Sequence, residues 1–299
     1  MARSTRSTRS TPDAPGPIEA SILADLAPLF TTRHVSIGAG ALRVLEGGSG
    51  PPLVLLHGRG NAATGWFPLL RALARNRRVI AVDLPGFGQS SAPRFTGAGF
   101  DAGAAYFTDP IEAFLLAEEL AGAAVIGHSL GGLVTVELAL RKRVPLSKIA
   151  LIGAMGVGAA MSAQSRLFFR LGPERLARRL GRPLFTALVP AARTADGARL
   201  ARLHFELNAV RGGREEASRA FDALHPMLGP VPNRLDRLKE ITIPALVLWG
   251  DHDEVFPAPV AIAASAALPH AELRIEDLGH SPHTEAPDRV LPILSAFLG

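Results

Sequence analysis

The stretch Ala123-Ala124-Val125-Ile126-Gly127-His128-Ser129-Leu130-Gly131-Gly132 decides the fold. Its opening is a compact apolar run without polar alternation, the pattern of a strand buried on both faces of a sheet. Helical periodicity begins at Leu130 and runs to Arg143, so strand and helix meet at Ser129. A strand that turns sharply into a helix crowds its own backbone, and only small residues fit two positions before and after the turn. Gly127 and Gly131 occupy those positions, giving G-x-S-x-G in the context that the pattern requires. The strained turn lifts the Ser129 hydroxyl off the sheet. It also aims the Leu130 N–H and the helix N-terminus at whatever binds there.

Outward from this turn the chain alternates strands and helices. Pro52–Leu56, Val79–Val82, Ala123–Gly127, Lys148–Ile152 and Ala245–Trp249 read as buried strands, with Ala271–Ile275 as a further strand. Two short strands, Arg33–Ile37 and Leu42–Glu46, precede them. Helices are expected at Ile18–Phe30, Trp66–Arg75, Tyr106–Leu120, Leu130–Arg143, Pro257–Leu268 and Pro287–Phe297. In the third of these Asp109 is read as N-cap and Pro110 as first helical residue. This rhythm predicts an α/β fold: a mostly parallel central sheet with helices on both faces. From Met155 to about Leu238 the strands stop. Helical stretches at Ser165–Leu180, Gly197–Val210 and Arg214–Leu224 predict an inserted helical cap, residues 156–238, on a core of residues 18–155 and 239–299. Residues 1–17, with Arg-Ser-Thr three times and then Pro-rich, read as a disordered basic tail.

Composition narrows the functions. Of 299 residues, 47% are hydrophobic and 20% charged, which is globular. There is no cysteine, so disulfides, thiolate nucleophiles and Cys-ligated metal sites are excluded. The net charge is +5, and residues 156–238 alone hold fourteen Arg against seven Asp and Glu. Those arginines are scattered among Leu and Ala, and the chain has a single Tyr, so a nucleic-acid partner is not expected. The start lacks the apolar region of a secretory signal, and no run of 18 apolar residues occurs. A cytoplasmic protein without an integral membrane segment is the expectation. Oligomeric state is left open.

A serine needs a base to act as a nucleophile near neutral pH, and the base needs an acid to orient it. Two segments downstream of Ser129 offer them. Gly250-Asp251-His252-Asp253 follows one buried strand, and Gly279-His280-Ser281-Pro282-His283 follows the last. Both leave the C-terminal ends of strands, the edge where open α/β sheets place their sites.

The motifs HGRGNAATGW (57–66), DLPGFGQS (83–90), GHSLGG (127–132), WGDHDEVFP (249–257) and GHSPHTEAP (279–287) stand in this order. Together they resemble the α/β-hydrolase superfamily, its lid-bearing esterase/lipase-like branch, over residues 35–299. The resemblance implies Ser129 as nucleophile, His280 as base and Asp253 as acid, with Asp251 as runner-up. It implies an oxyanion hole from the backbone N–H groups of Arg59 and Leu130, with Gly60 as the alternative to Arg59. The Arg59 side chain either points to solvent or meets a substrate carboxylate. His57, Asp83 and His283 are expected to be structural, His252 solvated or a wall of the site, and His128 packed beside the serine.

The resemblance further implies a serine hydrolase that cleaves a carboxylic ester of a small or medium acyl group, a small-molecule substrate, without metal or cofactor. The same triad also serves C–C bond, amide and thioester hydrolases and cofactor-free perhydrolases. A catalytically weak binding protein on this fold is the reading from another class. Ser129 argues against epoxide hydrolases and haloalkane dehalogenases, which use aspartate.

Overall fold

A computed structural model describes residues 14–38, 40–188, 195–209 and 215–299. Eight strands form one sheet: β1 (Phe30–Ile37), β2 (Gly40–Gly47), β3 (Pro52–Leu56), β4 (Arg78–Val82), β5 (Ala124–His128), β6 (Lys148–Ile152), β7 (Ala245–Gly250) and β8 (Ala271–Glu276). Their order is β1-β2-β4-β3-β5-β6-β7-β8. β1 pairs antiparallel with β2, and β2 antiparallel with β4; all later pairings are parallel. The central strands are short and apolar, as strands covered on both faces are. On β3, Leu53 and Leu55 join a core with α1 (Pro17–Leu26), α2 (Phe67–Leu73) and α11 (Pro287–Leu298). Val54 and Leu56 join the opposite core with α3 (Gly99–Ala117), α4 (Leu130–Arg141) and α9 (Pro259–Ala267).

Between β6 and β7 the described chain contains helices and no strand: α5 (Ala163–Leu171), α6 (Pro173–Leu188), α7 (Ala195–Ala209) and α8 (Glu215–Asp222). This insertion is anchored on both sides of the sheet. Leu203 and Leu207 of α7 join the core of α1, α2 and α11. Ala217, Ala220 and Phe221 of α8 join the core of α3 and α4. A short helix, α10 (Pro282–Glu285), follows β8.

Several expected boundaries shift for physical reasons. The first helix ends at Leu26, because Pro28 offers no N–H to continue it, and Phe30 instead pairs with Gly47 in the sheet. The helix expected at Tyr106–Leu120 begins at Gly99, so Asp109 is not its N-cap and Pro110 lies inside it. The apolar face Phe100, Ala104, Phe107, Ile111, Phe114 continues through the proline, and burying it outweighs the lost backbone bond. The helix expected at Ser165–Leu180 is two helices, broken at Gly172 (φ 80°) before Pro173. The expected Gly197–Val210 and Arg214–Leu224 correspond to α7 and α8, with Val210 and Arg214 outside the described residues. Of the expected tail, residues 1–13 also lie outside them, and Pro17 opens α1.

One buried ionic group locks the strand ends beneath the site. Arg43 on β2 donates from Nε to Asp83 Oδ2 at 2.6 Å and from Nη2 to Asp83 Oδ1 at 2.8 Å. Nη2 also reaches Glu19 Oε1 of α1 at 2.9 Å, and all three side chains have zero exposure. Asp83 in addition accepts the N–H groups of Ala63 (2.6 Å) and Gln89 (2.7 Å). Burial opposes its charge, but the Arg43 guanidinium holds its carboxyl below the usual range. Asp83 is thus the structural residue that the sequence implied. Removing one member of such a group strands the others as buried charges. Replacing Arg43 by Met is expected to lower unfolding free energy by about 3–5 kcal/mol, measurable as a shift of the urea midpoint at unchanged slope.

Candidate active site

Ser129 closes β5 with φ 51° and ψ −113°, a region that costs a non-glycine residue strain. Four backbone bonds hold it. Its N–H donates to Ile152 O (3.0 Å), and its carbonyl accepts Gly132 (2.9 Å), Leu133 (3.3 Å) and Met155 (3.0 Å). The glycines are required by close approach. A Cβ on Gly127 would lie 2.2 Å from Gly131 O, and one on Gly131 would lie 2.1 Å from Leu56 O. Leu130 is the first residue of α4, so its N–H has no acceptor within the helix.

His280 and Asp253 meet directly. His280 Nδ1 lies 2.9 Å from Asp253 Oδ2, and the Asp253 side chain is fully buried. The other carboxylate oxygen, Oδ1, accepts the N–H groups of Val255 (2.8 Å) and Phe256 (2.9 Å), so each oxygen has a fixed task. Asp251, the runner-up, faces solvent and groups with His252 and Asp277 instead. His252 is exposed, as expected. Ser129 and His280 border the same peptide. Ile152 O accepts the Ser129 N–H, and a Cβ on neighbouring Gly153 would lie 3.1 Å from His280 Nδ1.

The His280 loop carries a brace that sequence reasoning missed. Glu285 Oε2 accepts the Gly279 N–H at 2.6 Å, and Oε1 accepts the Ser281 N–H at 2.8 Å, so one carboxylate grips the backbone on both sides of His280. Its place within the first turn after Ser281-Pro282 was the available signal, since acids there reach back to free N–H groups. His128 contributes from the other side, with Nε2 3.2 Å from His280 O and ring centroids 5.0 Å apart.

The loop after β3 carries Gly58 and Arg59. A Cβ on Gly58 would lie 3.1 Å from Ser129 Cβ, which places this backbone beside the serine. The Leu84 N–H donates to His57 Nε2 at 2.9 Å, so the His57 proton sits on Nδ1, which donates to Gly58 O at 2.7 Å. His57 therefore orders this loop. The Arg59 side chain departs from the solvent reading. It is 3% exposed, reaching Glu174 Oε2 of α6 at 3.3 Å and Ser218 Oγ of α8 at 3.4 Å. It also lies 5.5 Å from the Phe169 ring centroid and 5.1 Å from that of Phe221, so its carboxylate partner here belongs to the chain itself.

Behind the serine stands a group of buried imidazoles. His283 lies between the rings of Trp66 and His128, tilted against each, with both ring centroids at 4.5 Å. Burial lowers the pKa of His283 to about 3 and of His204 on α7 to about 4. Burial, reinforced by His283 and His280, holds His128 well below its usual value. His283 and His128 are thus neutral packing residues, as the sequence implied.

The chain belongs to the α/β hydrolase fold family, whose sequence profile matches residues 51–287. It is 32% identical over 266 residues to an uncharacterized protein of Mycobacterium tuberculosis, covering 84% of this chain and 76% of that one. It is 28% identical over 284 residues to a 2-hydroxy-6-oxononadienedioate/2-hydroxy-6-oxononatrienedioate hydrolase of Paraburkholderia phymatum, covering 90% and 96%. Carboxylesterase CesB from Bacillus subtilis shares the fold, with TM-score 0.77 and 21% identity over 94% of this chain and 95% of that one. Among the described residues no helix is long and apolar enough to cross a membrane.

The buried histidines set a pH dependence. Their folded pKa values lie below the unfolded value of about 6.5. Above that pH neither state is charged and they contribute nothing. Below it the unfolded chain binds protons that the folded chain refuses until about pH 3 for His283 and about pH 4 for His204. Stability is expected to fall between about pH 6.5 and pH 4, by up to about 1.4 kcal/mol per pH unit for each such histidine. Urea unfolding across this range tests it, and His283→Gln is expected to flatten the slope.

Proposed function

We propose that this chain is a serine hydrolase that cleaves a carboxylic ester of a small or medium acyl group. The observation that carries the reading is the His280–Asp253 pair, one carboxylate oxygen on the imidazole and the other on two backbone N–H groups, at the rim where Ser129 is lifted off β5. With Nδ1 donating to Asp253, the lone pair of Nε2 is the one left to take a proton from Ser129.

The steps follow. Ser129 Oγ attacks the ester carbonyl carbon as His280 takes its proton. The carbonyl oxygen becomes an oxyanion held by the backbone N–H groups of Arg59 and Leu130. His280 returns the proton to the leaving alkoxide, and the alcohol departs. Water then attacks the acyl-enzyme carbonyl carbon as His280 accepts its proton; the bond to Ser129 Oγ breaks, His280 returns the proton to that oxygen, and the acid leaves. None of these steps calls for a metal or cofactor. The helices α5–α8 act as a cap over this rim, with Phe169 and Phe221 packed against the Arg59 guanidinium, and a cytoplasmic location fits the chain.

A second reading is a C–C bond hydrolase with the same triad, prompted by the Paraburkholderia relative, which is named a hydrolase of 2-hydroxy-6-oxo dienedioates and trienedioates. The same three side chains serve that reaction. Side-by-side turnover of p-nitrophenyl esters and of a 2-hydroxy-6-oxo dienoate separates the two, and the ester reading requires the larger kcat/KM on esters.

Ser129→Ala is expected to lower ester kcat/KM by about ten-thousand-fold or more while leaving the fold intact. Asp253→Asn is expected to cost on the order of ten-thousand-fold in kcat, because the amide favours the wrong imidazole tautomer. Initial rates on p-nitrophenyl butyrate measure both, and ester turnover surviving in Ser129→Ala contradicts the assignment.

A further inference from the structure

We propose that Asn208, on inserted helix α7, is a positioning residue that aims the Arg59 N–H at the reacting carbonyl oxygen; the inference rests on the hydrolase reading above. Asn208 is 5% exposed. Its Nδ2 donates to Gly60 O at 3.0 Å and to its own helix at His204 O at 2.7 Å. Two carbonyl acceptors fix which end of the amide is nitrogen. Gly60 has φ 74°, and a Cβ there would lie 2.9 Å from Asn208 Oδ1, so the absent side chain is what lets the amide reach the backbone.

The consequence follows from the rigidity of trans peptides, in which C=O and the next N–H point in opposite directions. The described chain has no cis peptide bond. Asn208 holds the Gly60 C=O, and therefore sets the direction of the Asn61 N–H. That N–H donates to Gly58 O at 3.2 Å, beside the His57 Nδ1 donor. Holding the Gly58 C=O in turn sets the direction of the Arg59 N–H. Two rigid planes thus connect a side chain of the insertion to a proposed oxyanion donor. The Arg59 guanidinium, buried against α6 and α8, ties the same residue to the insertion a second time.

This assigns the insertion a part in transition-state stabilisation and not only in covering the site. Loss of an oxyanion donor costs about 100- to 1000-fold in kcat. Loosening one that His57 still restrains is expected to cost on the order of tenfold. The test compares wild type with Asn208→Ala on p-nitrophenyl butyrate and measures inhibition by phenylboronic acid, whose serine adduct is a tetrahedral boronate anion that places one of its oxygens in the oxyanion position. The inference expects kcat to fall about tenfold with KM little changed, and boronate affinity to weaken by the same factor. Unchanged kcat and boronate affinity, or a rise in KM alone, overturn it. If the alanine variant does not fold, Asn208→Asp, which keeps the shape but cannot donate to Gly60 O, gives the same readouts. Wild type without Ser129-dependent ester turnover would instead refute the hydrolase reading, so the two failures are distinguishable.

Discussion

The left-handed turn at Ser129 is the constraint on which the rest of the site depends. A non-glycine residue at φ 51° carries strain on the order of 1–3 kcal/mol. It persists because the surroundings permit no alternative: β6 takes its N–H, α4 and Met155 take its carbonyl, and Gly127 and Gly131 let the helix press onto the strand ends. The serine is thereby presented at the C-terminal edge of the parallel strands. The loops after β3, β7 and β8 leave that same edge, which brings Gly58, Asp253 and His280 to it without any long connection.

Around this turn, charge and neutrality are arranged in layers. Beneath the loop after β3, Arg43 binds Asp83 and Glu19 in a buried ionic group that also captures the Ala63 N–H. Behind the serine, His128 and His283 are kept neutral by burial, so they pack beside His280 without adding charge next to it. The backbone on both sides of His280 is gripped by Glu285, and Asp253 is anchored by two N–H groups of its own loop. Asp253, the backbone around His280 and the loop after β3 thus have partners that fix their direction, the form of preorganisation that electrostatic catalysis needs.

The core was legible in the sequence because its signals are local. A buried strand is a short apolar run without polar alternation, and the Ser129 turn is a glycine spacing, so β3, β6 and the pairing of turn with helix fell where expected. Asp253 was separable from Asp251 only through the resemblance; in space the difference is burial against exposure, which periodicity does not carry. What escaped were contacts of long range. Asn208 reaches Gly60 across 148 positions, and no spacing rule connects them. Arg59 reads as facing solvent or a substrate carboxylate because its partners, Glu174, Ser218 and Phe221, lie on helices far along the chain. Pro110 misled for the opposite reason, since a local start signal was overruled by the apolar face of α3.

The central claim is that the proposed hydroxyl, imidazole and carboxylate act as one unit, and covalent labelling tests it most directly. The folded protein would be treated with a fluorophosphonate and digested, and the adduct mapped by mass spectrometry. The account predicts one adduct per chain, on Ser129, with labelling strongly slowed in His280→Ala. No adduct in the folded protein, an adduct on another serine, or Ser129 labelling that ignores His280 would contradict it.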